Sequence, residues 1–293
     1  MNKFFGFFNS GKRNYSNHGI TVPRRGIAAA GKVIKLSPAQ LNYACCQSVG
    51  KQRDHNEDSL FALSSTFGGE NGNSVFGLFI IADGMGGHQF GEVASSTAVH
   101  SVTNYILSKY HAFFHLPGEV MDDSPQEIMQ RAIQEAQKAV IEAAPGSGTT
   151  LTAILIIYNQ IIVGHVGDSR AYKLSESSDL DAITHDHTLV KRLEELGQIT
   201  SEEALIHPQR NILYQAIGQG EYLENDISSI HFPQPGYIIL CSDGLWGVVS
   251  NQEIKQIINN STTIQDACLE LVSKANEYGG PDNISVIILQ LLG

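Results

Sequence analysis

No stretch of these 293 residues approaches the roughly 18 consecutive apolar residues that a membrane span requires, and the N-terminus lacks the continuous apolar core of a secretory signal. A soluble, cytoplasmic protein is the expectation. Cysteine is scarce, and Cys45, Cys46, Cys241 and Cys268 show neither a C-x-x-C pair nor zinc-type spacing. Buried or idle thiols are therefore expected, not bridges or a zinc site. A basic surplus is also missing. The net charge of −11 argues against general nucleic-acid binding, because a groove that tracks phosphates carries positive charge. Nor is there an internal repeat, or a Pro/Ser-rich linker after Leu41, which favours one domain over 41–293.

Acid is absent from the start of the chain. Met1 to Gln40 holds Lys3, Lys12, Arg13, Arg24, Arg25, Lys32 and Lys35, so residues 1–40 carry +7 and the remainder −18 of the total −11. With its Gly, Ser and Asn content and no periodicity, this segment reads as a basic, flexible extension. Phe4, Phe5, Phe7 and Phe8 among the bases are of a kind that meets an anionic membrane surface or a partner. A tail of no assigned role is the plainer reading.

What is present suffices for a core: 42% of residues are apolar. Short β-branched runs predict strands at Val75–Ala82, Leu151–Ile157, Ile161–Val166, Tyr237–Cys241 and Ile284–Leu291. Helical spacing marks Glu92–Tyr110 and Pro125–Ala144, the latter with Ile128, Ala132, Ile133, Ala136, Val140 and Ile141 on one face. A second helical pair covers Asn251–Ile258 and Thr263–Tyr278, where Thr263 and Asp266 form a capping signal. Two helices sit together between strands, which fits a doubly wound parallel sheet poorly. The expected class is α+β, a central antiparallel β-sandwich flanked on both faces by helix pairs. The polar, charged stretch 186–215 is expected to form a surface flap.

The chemistry lies where strands end. Val75–Ala82 runs into Asp83-Gly84-Met85-Gly86-Gly87, Ile161–Val166 into Gly167-Asp168-Ser169-Arg170, and Tyr237–Ser242 into Asp243-Gly244. Gly279-Gly280-Pro281-Asp282-Asn283 leads into the last strand. A single Asp-Gly after a strand is usually only a turn. Four at the mouth of what reads as one sheet suggest converging carboxylates, which repel unless a hard divalent cation sits among them. That points to Mg2+ or Mn2+, with the Gly84 carbonyl free to approach as a further oxygen ligand. Arg53-Asp54-His55-Asn56-Glu57-Asp58 forms another cluster. Arg53 offers a planar fork for phosphate, while Glu57 and Asp58 suit contacts to bound water or to the ligands themselves.

Gly50-x-x-Arg53-x-x-Asn56-Glu57-Asp58, Asp83-Gly84-Met85-Gly86-Gly87, Ser147-Gly148-Thr149-Thr150, Gly167-Asp168-Ser169-Arg170, Ser242-Asp243-Gly244-Leu245-Trp246 and Gly280-x-Asp282-Asn283 together resemble the ordered motifs of the metal-dependent 2C-type (PPM) protein phosphatases, in the bacterial form. The resemblance runs from about Tyr43 to Leu291. It implies hydrolysis of phosphoserine and phosphothreonine on proteins by a water or hydroxide bridging two divalent cations, opposing a serine/threonine kinase. It further implies that Asp83 bridges two Mn2+ or Mg2+ ions, that the Gly84 carbonyl, Asp243 and Asp282 complete the ligands, and that Glu57 acts through bound water. Asp168 would help Asp243 hold a third ion. Arg53 would bind the substrate phosphate, Asp83 and Arg53 forming the catalytic pair, with Asp58 and Asn283 in support behind.

Met85 departs from relatives that place a histidine there to protonate the leaving alkoxide, so His55, His88 and bound water stand as alternative donors. Lys191, Arg192 and Arg210 of the flap would meet acidic or phosphorylated segments, unless they are simply solvated. Two other functions compete: a silent relative that binds without catalysis, and a phosphatase for a small metabolite. A silent relative would be expected to lack one of Asp83, Asp243 or Asp282, and none is missing. The partners expected are a phosphorylated protein, no nucleic acid and no second copy of the chain.

Overall fold

A computed structural model describes residues 36–69, 72–86, 89–115, 123–175, 178–220 and 222–293. Apart from its last five residues, the 1–40 extension lies outside the described residues, as do Gly87 and His88. The elements in order are β1 (Gln40–Ser48), β2 (Asp58–Gly69), β3 (Gly72–Met85), α1 (Gln89–His115), α2 (Pro125–Ala143), β4 (Gly148–Thr149), β5 (Leu151–Ile157), β6 (Gln160–Val166), β7 (Arg170–Ser175) and β8 (Leu180–Ala182). They continue with α3 (Leu189–Glu195), α4 (Ser201–Ile206), β9 (Asp226–His231), β10 (Gly236–Cys241), α5 (Asp243–Trp246), α6 (Asn251–Asn260), α7 (Ile264–Glu277) and β11 (Ile284–Leu292).

One sheet runs β1-β11-β10-β7-β8 and the other β2-β3-β5-β6-β9, with β4 pairing β3. Every ladder is antiparallel. The two-residue alternation of a strand explains the layering. In β5, Leu151, Ala153 and Leu155 pack with α1 and α2 through Val102, Ile106, Ile133 and Ala136, while Ile154 and Ile156 join Phe79, Ile238, Leu240, Ile287 and Leu289 between the sheets. The outer face of the other sheet, through Ile239, Val286 and Ile288, packs on Ile254, Ile258, Leu271 and Ala275 of α6 and α7. The four layers are thus helix pair, sheet, sheet, helix pair, the expected α+β sandwich.

α2 begins with a capping box. The Ser124 hydroxyl accepts from the Glu127 amide and the Glu127 carboxylate accepts from the Ser124 amide. Thr263 caps α7 as expected, accepting from the Asp266 amide at 3.0 Å. One residue of the expected α2 stripe is corrected: Ile141 is 44% exposed, because one step of about 100° beyond buried Val140 turns it away from the sheet. All four cysteines are unpaired, Cys241 and Cys268 buried, Cys45 exposed and Cys46 between. No helix among the described residues is long and apolar enough to cross a membrane.

Candidate active site

The acidic turns meet in one cleft of about 460 Å³ whose walls include Arg53, Asp54, His55, Glu57, Asp83, Gly84, Met85, Asp168, Asp243 and Asp282. Seven sequence-predicted site residues, Arg53, Glu57, Asp83, Gly84, Asp168, Asp243 and Asp282, are thus brought together. Asp58 and Asn283 lie behind them. The expectation of a single sheet is corrected. Asp83 and Gly84 end β3 in one sheet, Asp243 and Asp282 flank β10 and β11 in the other, and Asp168 sits in the turn that crosses from β6 to β7. Sequence shows that a turn follows a strand but not which sheet the strand joins.

Local bonding explains the motifs. The Asp83 amide donates to Thr150 Oγ1 at 2.9 Å, while the Asp83 carbonyl accepts from the Thr150 amide at 2.8 Å and the Thr149 hydroxyl at 2.9 Å. The Ser147–Thr150 motif therefore braces Asp83. Asp58 is the direct cross-strand partner of Asp83, and its Oδ2 accepts from Ser242 Oγ at 2.8 Å and Ser285 Oγ at 2.6 Å. Asn283 ties the loop of Arg53 and Glu57 to β11: its amide group donates to the carbonyls of Val49 and His55 and accepts from the Glu57 amide. Thr150 and Ser242 stand in the quoted motifs but without an assigned role, and Ser285 lies outside them. Their signal was positional, since Ser242 precedes Asp243 and Ser285 shares a strand face with Asn283.

The electrostatics are those of crowded acid. Burial, reinforced by neighbouring aspartates, pushes the Asp58 carboxyl up to about 7 and that of Asp243 up to about 6. Asp83 and Asp168 lie well above the usual carboxylate range for the same reasons, burial first. Arg53 Nη2 donates to Asp282 Oδ2 at 2.6 Å. His55 Nε2 is 3.4 Å from Glu57 Oε1.

Among the described residues no three His, Cys, Asp or Glu groups already surround one point as a finished cage. The donor set nevertheless fits a hard cation. It consists of oxygens, and the buried Oδ1 atoms of Asp58 and Asp243 have no hydrogen-bond partner. Such orphans are costly unless something cationic meets them. Gly84 is packed so closely that a Cβ there would fall 2.1 Å from the Gly91 carbonyl and 2.7 Å from that of Glu57, so only glycine lets these backbones approach one another beside Asp83.

Segment 186–215 forms α3 and α4, capped by Thr188 and Thr200, and its Asn211 and Leu213 reach the cleft wall. Lys191 and Arg192 pair with Glu194 and Glu195 one turn on, so these two cations are engaged within the helix.

A family model for protein phosphatase 2C matches residues 45–284. Serine/threonine phosphatase stp of Listeria monocytogenes is 33% identical over 247 residues, 82% of this chain and 92% of the relative. Protein phosphatase PhpP of Streptococcus pneumoniae is 35% identical over 243 residues, 83% of this chain and 94% of the relative. The crystal structure of the catalytic domain of serine threonine protein phosphatase PstP in complex with 2 manganese ions aligns with a TM-score of 0.70 and 31% identity, over 87% of this chain and 100% of that one. Likeness on this scale, over nearly the whole of each relative and with the braced acids in motif order, has one explanation: the chain belongs to the protein phosphatase 2C family.

Proposed function

We infer that this cleft hydrolyses phosphoserine and phosphothreonine esters on proteins with the help of Mn2+ or Mg2+. The observation that carries the reading is the meeting of Glu57, Asp83, Asp168, Asp243 and Asp282 in one cleft, with a buried carboxylate oxygen of Asp243 left unpartnered. Asp83, the Gly84 carbonyl, Asp243 and Asp282 would hold two ions, with Glu57 in support, and Asp168 would serve a third beside Asp243. Bound ions of this kind supply the positive charge that makes water a nucleophile near neutral pH and offsets charge on phosphoryl oxygens.

The chain's own residues do the rest. Arg53, about half exposed beside the acids, meets the phosphate with a planar, two-pronged donor. Thr149 and Thr150 hold the backbone of Asp83 in place, and Asn283 keeps the Arg53 loop in register with β11. Met85 lines the cleft and has no proton to give, so the leaving alkoxide takes its proton from His55, His88 or water. Asp83, Asp243 and Asp282 are all present, which favours catalysis over silent binding.

In this reading residues 41–293 are the phosphatase domain, 186–215 its flap, and 1–40 an extension outside it. The protein acts as a cytoplasmic monomer against a serine/threonine kinase or its targets. The test is Mn2+-dependent phosphate release from a phosphothreonine peptide, expected to fall about a hundredfold or more in Asp83→Ala and Asp243→Ala. Equal rates in the unmodified chain and both variants would end the reading.

A further inference from the structure

Arg170 stands outside the cleft wall, yet each of its guanidinium nitrogens is engaged. Nε and Nη2 donate as a fork to Asp186, at 2.9 and 2.6 Å. Nη1 donates to the Tyr172 hydroxyl at 3.1 Å. The guanidinium carbon lies 3.6 Å from the centre of the Trp246 ring, a stacking distance at which cation and ring attract. Each partner belongs to a different part of the site. Asp186 opens the flap. Trp246 closes α5, the short helix that Asp243 begins, and its indole N–H donates to the Asp168 carbonyl at 3.0 Å.

The flap root is stitched to the same turn from the other side. The His187 amide donates to the Gly167 carbonyl at 2.7 Å, and the Gly167 amide donates to His187 Nδ1 at 3.2 Å. The Tyr214 amide returns to the His187 carbonyl at 2.9 Å, and the Leu189 amide donates to the Ile212 carbonyl at 2.8 Å. These bonds set the strand-like stretch whose Asn211 and Leu213 border the cleft. The placement of Asn211 and Leu213 thus traces back through His187 and Asp186 to Arg170.

We propose that Arg170 is a positioning residue: forked on Asp186 and lying flat on Trp246, it fixes the root of the flap against the backbone that presents Asp168 and Asp243. Its effect on catalysis passes through those residues and not through contact with phosphate. The proposal rests on the phosphatase reading above, because it assigns Asp168 and Asp243 to metal binding and the flap to the substrate.

Two planar features define the arrangement, so Lys is a poor substitute despite its charge. In the full chain, Arg170→Lys is expected to raise both the Mn2+ dissociation constant, read by isothermal titration calorimetry, and the KM for a phosphothreonine peptide, each by about tenfold. The two halves should separate. Asp186→Asn weakens the fork and is expected to act mainly on peptide KM, whereas Trp246→Phe keeps an aromatic face but loses the N–H to Asp168 and is expected to act mainly on Mn2+ affinity. If Arg170→Lys lowers only the melting temperature and leaves both constants at the unmodified values, Arg170 is a stability element and the proposal falls. Failure of the unmodified chain to release phosphate would overturn the phosphatase reading, while the Mn2+ titrations would still decide the link from Arg170 to Asp168 and Asp243.

Discussion

Arg53 and Asp282, 229 residues apart in sequence, meet at 2.6 Å through Nη2 and Oδ2. The other Asp282 oxygen accepts from the Asn283 amide at 2.8 Å, so the carboxylate that orients Arg53 is itself held in place. A guanidinium held this way lines the cleft. Arg53→Lys retains the charge but not the fork. We expect peptide KM to rise about tenfold, with Mn2+ affinity changed far less. An unchanged KM would remove Arg53 from phosphate binding.

Close approach of backbone, not unusual dihedrals, is what requires glycine at position 84. Gly84→Ala would drive a Cβ to 2.1 Å from the Gly91 carbonyl, where only backbone can yield, and should cost about 2–3 kcal/mol in urea unfolding. Gly146 is the counterpart, with φ +82° and nothing within 4 Å of its Cβ position. There Ala meets only the left-handed backbone, at about 1 kcal/mol. A smaller loss at Gly84 than at Gly146 would contradict the packing described.

His165 predicts an acid limit to stability. It is buried with Nε2 3.0 Å from the carbonyls of Gly167 and His185 and Nδ1 3.0 Å from the Thr152 hydroxyl. The first pair makes Nε2 the protonated nitrogen and leaves Nδ1 to accept. His187 lies with its ring 5.0 Å away, and Asp226 beyond it. Burial, helped by His187, lowers the His165 pKa to about 3.

The unfolded chain binds this proton near pH 6.5. The contribution of neutral His165 is therefore complete above that pH and is lost as the pH falls toward 3, by about 1.4 kcal/mol per unit. His165→Gln cannot ionise. The gap in unfolding free energy between the two chains should shift by that slope between about pH 6 and about pH 4, an interval that lies between the two limits. A pH-independent gap would disprove the assignment.

The legible parts of the fold were those with one dominant period. β3, β5, β6, β10 and β11 carry continuous apolar runs because both faces are covered, and all were predicted. β2 was not, since Ser59, Ser64, Ser65 and Thr66 interrupt its apolar residues. β9 is an edge strand, mostly exposed or half-exposed, and offers no period at all. At the site, Asp83, Asp168, Asp243 and Asp282 were legible because each borders a strand next to Gly or Asn. The braces were not: the Ser242 and Ser285 bonds to Asp58 join residues that come together only when the two sheets pack, and the stack of Arg170 on Trp246 forms only once β7 has paired with β10.

That packing has a consequence for the chemistry. Asp83 hangs from one sheet and Asp243 and Asp282 from the other, so the gap between the sheets, filled by Phe79, Ile154, Leu240 and Ile287, sets the distance between the two banks of acid. These hydrocarbon side chains act as a spacer gauge. Thinning that filling would retune cation uptake at the rim without touching a single ligand, and an ion spanning the rim would in turn clamp the sandwich shut along that edge.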